Sequence, residues 1–159
     1  MSVIQLVKGL PNGQYKLVAA AMNGSATTNS NTGAYIFAGD KQTVVNGPKD
    51  YEVKFTSISG EVEIGFVGNN VSSNWVAVDN FRLYLIGKVD ANAVIEELQR
   101  IIADAEALQA SMMSSTAAAK LQTAIEVAKQ ITTASADADI QTATKNLNAA
   151  IEAAKVSIA

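Results

Sequence analysis

The side chains with the most chemistry to offer lie in the first half of the chain. Trp75 is the single tryptophan, and Asn74 stands beside it. An exposed indole stacks on the apolar face of a pyranose, and a neighbouring amide bonds the sugar hydroxyls. Trp75 has the opposite parity to Val76 and Val78, which places it off the core face of any strand that buries those two. The alternative is an indole that plugs the end of a pair of sheets. Asn23 to Thr32 is a run rich in Asn, Ser and Thr. Asn29 within it, and Tyr35 just after it, are placed to reach the same ligand, because loops at the ends of β-folds carry function. The same composition suits a plain solvated connection, and an inward Tyr35 fits equally well.

Three carboxylates offer a different chemistry. Asp79 is a candidate calcium ligand, but the ion takes about six to eight oxygens. A lone carboxylate serves equally well to accept backbone N–H groups. Glu61 and Glu63 share one face of a strand, and their carboxyls could approach the ~5 Å separation of a retaining glycosidase. They alternate with Val62, Ile64 and Phe66, so they face water. A solvated face lacks the burial that raises an acid's pKa. His and Cys are both absent. That removes disulfides, thiolate nucleophiles, zinc sites and imidazole bases. No catalytic residue is assigned, and apart from calcium at Asp79 no cofactor is expected. The net charge is -3, so nucleic acid is not an expected partner. No apolar run approaches the roughly 20 residues of a membrane span.

The elements that must hold these side chains fall into two kinds. All nine aromatic residues lie from Tyr15 to Tyr84, and all ten glycines from Gly9 to Gly87. From Lys88 onward there are 20 Ala in 72 residues, and no Gly, Pro or aromatic residue. β-Branched, aromatic and turn residues favour strands, whereas Ala, Glu, Lys and Leu favour helix. The reading is therefore an α+β chain: an antiparallel β-sandwich over residues 1–87 and a three-helix bundle over residues 88–159.

Strands are expected at Val3–Lys8, Gln14–Met22, Ala34–Ala38, Thr43–Asn46, Tyr51–Ile58, Glu61–Val67 and Asn74–Ile86. Leu10-Pro11-Asn12-Gly13 is a turn signal, with positive φ expected at Gly13. Tyr51–Ile58 alternates with Val53 and Phe55 inward. The last strand breaks phase: Val76 and Val78 share one parity, and Phe81, Leu83 and Leu85 take the other. One inserted residue puts both sets on the core face, so a bulge is expected at Asp79-Asn80. In the second half, Asp90 or Asn92 caps a helix burying Val94, Leu98, Ile101, Ala105 and Leu108. Ser114 or Ser115 caps a second, burying Leu121, Ile125, Ala128 and Ile131. Asp137 caps a third, burying Ile140, Ala143, Leu147, Ala150, Ile151 and Ala154. Short connections make neighbours antiparallel.

Three blocks carry a resemblance: Gly9-Leu10-Pro11-Asn12-Gly13-Gln14-Tyr15-Lys16-Leu17, then Gly60-Glu61-Val62-Glu63-Ile64-Gly65, then Asn74 through Leu83. Together they resemble the galactose-binding-like jelly rolls of secreted gut-bacterial glycan-processing proteins. Ala134–Ile140 and Leu147-Asn148-Ala149-Ala150-Ile151 resemble the FIVAR-type three-helix repeats at the ends of secreted glycosidases, as in chitobiase-like proteins. The resemblance implies a non-catalytic glycan-binding accessory region, with the bundle as spacer or as a dock for other domains of the same protein. It implies a secreted, periplasmic or cell-surface location as part of a larger chain. A purely structural spacer or protein-interaction module without a sugar site is the alternative. The sequence departs from the pattern ahead of Leu10, where such jelly rolls have one or two further strands and only Val3–Lys8 stands here.

Overall fold

The computed structural model describes residues 2–24, 33–68 and 75–158; the side chains of Gly24 and Trp75 are not among the described parts. Among the described residues seven strands are followed by three helices: β1 (Ser2–Lys8), β2 (Gly13–Gly24), β3 (Ala34–Ala38), β4 (Lys41–Val44), β5 (Lys49–Ser57), β6 (Glu61–Gly68), β7 (Trp75–Gly87), α1 (Ala91–Leu108), α2 (Ser115–Lys129) and α3 (Asp137–Ile158). All strand pairs are antiparallel, in a four-stranded sheet of order β1-β6-β3-β4 and a three-stranded sheet of order β5-β2-β7. The chain divides into two compact units. One holds the strands. The other holds Lys88–Ala159 together with the turns Leu10–Asn12 and Ile58–Gly60.

In the strand unit, period-two alternation sets the core. β5 buries Tyr51, Val53, Phe55 and Ser57 and exposes the residues Lys49, Asp50, Glu52 and Lys54. β6 buries Val62, Ile64 and Phe66, and β3 contributes Ala34, Ile36 and Ala38. Leu17 and Ala19 of β2 are fully buried, and Tyr15 stacks on Phe55 with ring centroids 5.4 Å apart. Burial pushes the Tyr15 phenol above its ordinary pKa.

β7 carries the bulge that the phase break demands, one residue later than the expected Asp79-Asn80, because Asp79 keeps its pairing with Ala20. Val18 faces Arg82 and Ala20 faces Asp79, so Asn80 and Phe81 together oppose the single residue Ala19. Asn80 takes φ 54°, the left-handed conformation that Asn tolerates better than most side chains. A second irregularity lies at the strand's far end, where Tyr15 faces Leu85 and Gln14 faces Gly87. Two expectations are corrected here. Leu85 is 53% exposed rather than buried, because it lies on the edge strand at this second irregularity. Gly13 does not have positive φ; the turn takes it at Gly9, φ 75°. Gly13 is required for space instead, since a Cβ there would stand 2.6 Å from Leu85 Cδ1 and 2.8 Å from the Gly87 carbonyl oxygen.

In the helical unit, the 3.6-residue stripe sets the core. Val94, Leu98, Ile101 and Ala105 of α1, Leu121, Ile125 and Ala128 of α2, and Ile140, Leu147, Ala150, Ile151 and Ala154 of α3 form one buried cluster. Leu108 and Ile131 are only partly buried against it. Ile58, from the turn after β5, is a full member at 2% exposure. The same two turns are tied in by hydrogen bonds. The Leu10 N–H donates to the Gly60 carbonyl at 2.9 Å. The Gln141 side-chain amide donates to the Leu10 carbonyl at 3.2 Å and to Asn12 Oδ1 at 3.0 Å.

Asp90 and Ser114 are the first two caps, accepting from the Ala93 N–H at 2.7 Å and the Ala117 N–H at 3.2 Å. Asp137 is not a cap but the first residue of α3, and the Ala136 carbonyl accepts the Ile140 N–H at 3.0 Å. Within the first turn its charge complements the helix dipole. We expect Asp90→Ala to cost the helical unit about 1 kcal/mol, and Asp90→Asn to recover most of it. Chemical denaturation followed at 222 nm measures both; a cap without energetic weight would leave the midpoints equal.

Candidate ligand-binding surface

The register of the sheets gathers three connections at one end of the strand unit. Gly24 at the end of β2 pairs with Trp75 at the start of β7. Ala34 at the start of β3 pairs with Gly68 at the end of β6. The chain therefore leaves and re-enters the sheets at this end in both the β2–β3 and the β6–β7 connections. The β4–β5 connection lies here too: the Val45 N–H donates to the Ala34 carbonyl at 2.9 Å, and the Asn23 N–H to the Asn46 carbonyl at 2.6 Å.

Polar groups brace this end. Asn23 is fully buried and its amide donates to the Val45 carbonyl at 3.4 Å. The Tyr51 hydroxyl accepts the Asn46 N–H at 2.7 Å and donates to the Gly47 carbonyl at 2.7 Å. Buried polar groups satisfied in this way hold loop ends in register. The residues expected to bind ligand are thus carried by segments that meet the sheets at one place. Asn29 and Asn74 themselves lie outside the described residues, as does the Trp75 side chain; the Trp75 backbone opens β7.

Tyr35 lies on the outer face of the four-stranded sheet, half-buried, and Phe37 lies next to it on the same face. Their ring centroids are 6.3 Å apart at 60°. Phe37 rests over Gly65, close enough that a Cβ there would stand 3.0 Å from its Cε1. Cross-strand pairing adds Val67 and Val44 beside Tyr35, Gln42 beside Phe37, and Ile4 beside Gly65. Phe37 was not singled out by sequence reasoning. The signal was present in Ala34–Ala38, where small or aliphatic residues take one parity and the two aromatics take the other.

The outer face of the three-stranded sheet has the opposite character. Lys16, Lys54, Glu52, Asp50, Arg82 and Tyr84 occupy it, with ion pairs at 3.6 Å (Lys16–Glu52) and 3.0 Å (Arg82–Asp50). Such pairs on a wet surface contribute little to stability but keep the face solvated. The other outer face carries its charges on one side, at Glu61, Glu63 and Lys8, and leaves Tyr35, Phe37, Val44, Val67 and Ile4 as an aromatic and aliphatic patch. An apolar, aromatic face with polar neighbours is the composition of a contact surface.

The carboxylates take structural positions. Asp79 is exposed at the bulge, and its Oδ1 accepts the Asn80 N–H at 2.7 Å, relieving one backbone donor released by the irregularity. Among the described residues no three Asp or Glu side chains gather into a metal-binding group. Glu61 and Glu63 sit on the outer face of the four-stranded sheet, opposite Lys8 and Leu6 of β1. Among the described residues no helix is long and apolar enough to cross a membrane. Against this geometry, comparison with known protein families, with curated proteins and with solved structures finds no match to the chain.

Proposed function

We propose that this chain is a non-catalytic carbohydrate-binding region of a secreted, periplasmic or cell-surface polysaccharide-processing protein. In this reading the strand unit is a jelly roll of the galactose-binding-like kind and carries the ligand surface. The helical unit is a FIVAR-type spacer or docking element. The observation that carries the reading is the half-buried Tyr35–Phe37 pair on an apolar sheet face, beside the end where the segments bearing Asn29, Asn74 and Trp75 meet the sheets. Aromatic rings bind the apolar faces of sugar rings, and nearby amides and hydroxyls give the orientation.

The test is a glycan-array screen of the intact chain, followed by titration of the best ligand. We expect Tyr35→Ala and Trp75→Ala each to weaken binding about tenfold, equivalent to about 1.4 kcal/mol. Lys54→Ala, on the charged outer face, should leave affinity unchanged. Wild-type affinity in both aromatic variants, with unaltered circular dichroism, would remove the reading.

A further inference from the structure

Among the described residues the strand unit has four sheet edges, and three of them are protected against pairing with another chain. β4 is only four residues long, and its Thr43 hydroxyl donates across to the Glu52 carbonyl at 2.7 Å. β5 carries Asp50, Glu52 and Lys54 along its outer side, with Lys49 exposed at its start. β7 is interrupted by two irregularities and carries Asp79 and Arg82. Short length, charge and bulges are the devices that keep edges from recruiting strands. β1 has none of them. It runs for seven residues, Ser2-Val3-Ile4-Gln5-Leu6-Val7-Lys8, in unbroken register with β6 and without Pro, Gly or an interior charge. Val3, Ile4 and Leu6 are 47%, 53% and 47% exposed, so apolar side chains stand open on both faces of one strand.

We infer that β1 is an interface for a second copy of this chain, pairing antiparallel with its own counterpart about a two-fold axis at Gln5. Three features select that occupant. The Val3 carbonyl is turned towards β6, against Gly65. Alternation along an antiparallel strand then turns the free N–H and C=O groups of Ser2, Ile4, Leu6 and Lys8 outward. A two-fold axis at Gln5 sets these even-numbered residues opposite one another, Ile4 to Leu6 and Ser2 to Lys8, as hydrogen-bonding requires. It also overlaps the whole strand, because Gln5 is its midpoint; an axis at Ile4 or Leu6 would leave residues unpaired at one end. Finally, the side chains match. Val3 meets Val7, Ile4 meets Leu6, Gln5 meets Gln5, and the only charge, Lys8, meets the neutral Ser2. A parallel, in-register pairing would instead set Lys8 beside Lys8. The two-fold contact uses up both β1 edges, so the assembly closes as a dimer with one continuous eight-stranded sheet.

Gln5 gives a test that spares the fold, since it is exposed. Sedimentation velocity on the full chain at rising concentration should show a reversible doubling of mass. Gln5→Lys places two ammonium groups face to face across the axis, and Gln5→Glu two carboxylates, so each variant alone should stay monomeric. Mixed in equal amounts they should restore the dimer, because among antiparallel registers only this one brings residue 5 against residue 5. Circular dichroism of each variant confirms that the strands persist. A wild-type chain that stays monomeric, or assembles into open-ended polymers, overturns the inference. So does a Gln5→Lys variant that dimerises like the wild type, or a mixture that does not.

Discussion

Gly65→Ala should destabilise the strand unit by about 3 kcal/mol, although the same change in an ordinary strand is stabilising. Replacing Gly by Ala normally gains roughly 0.5–1 kcal/mol by reducing the freedom of the unfolded chain. At Gly65 that gain is outweighed. A Cβ would run into the Val3 carbonyl of β1, and would stand 3.0 and 3.1 Å from Cε1 and Cζ of the Phe37 ring. The ring can tilt, but the carbonyl belongs to a backbone held in register on β6, so β1 must separate from β6 or both strands must shift. Urea denaturation followed by Trp75 fluorescence reports on this unit. Glu63→Ala is the control: it lies on the same face two residues away, exposed, and should change stability by no more than about 0.5 kcal/mol. A Gly65→Ala variant as stable as the wild type would show that β1 does not press on β6 at this point. The experiment also bears on ligand binding, because the substituted residue lies under Phe37.

The second large effect is expected from a residue that sits among strands in the sequence. Ile58→Ala should destabilise the helical unit by about 3 kcal/mol, the usual cost of a cavity where a buried Ile has been truncated. Ile58 lies 2% exposed in the cluster that includes Leu98, Leu121 and Leu147. A small unit with a core of Ala, Leu and Ile has little stability to spare. The helical signal at 222 nm should therefore melt at lower urea, whereas Val156→Ala on α3, 77% exposed, should melt near the wild type. If the helices of Ile58→Ala unfold at the wild-type midpoint, the turn contributes nothing to their core. The result matters for any truncation: a fragment beginning at Lys88 would lack Ile58, together with the Leu10 carbonyl and Asn12 side chain that accept from Gln141.

The elements were legible in the sequence because each has a strong local cause. β3 runs over Ala34–Ala38, matching its expected bounds. The bulge in β7 followed from parity alone, since a strand that turns both Val78 and Leu83 to the core face must insert a residue between them. The α1 and α2 caps were visible as Asp90 and Ser114. Other features were not legible, because their causes are non-local. Whether Gly13 is needed for φ or for space depends on Leu85 and Gly87, more than 70 residues away. Leu85 has an inward parity and remains exposed because β7 is the last strand of its sheet, a fact that no alternation pattern carries. Tyr35 had two equal readings until the pairing of β3 with both β4 and β6 set its face.

Residue types and spacing by themselves determined an α+β chain, strands to Gly87 and helices beyond it, and the absence of imidazole and thiol chemistry. Such properties follow from periodicity and composition, which act over a few residues at a time. The tertiary structure alone decided which side chains meet. It gathered three connections at one end of the sheets, set Phe37 over Gly65 beside Tyr35, and left β1 as an apolar edge without a neighbour among the described residues. Strand order is a matter of which distant segments pair, and the side-chain pattern of one strand does not specify its partner. The residues with the most chemistry to offer could be read from the sequence; that Tyr35 and Phe37 lie side by side on the outer face of the four-stranded sheet comes from the order β1-β6-β3-β4.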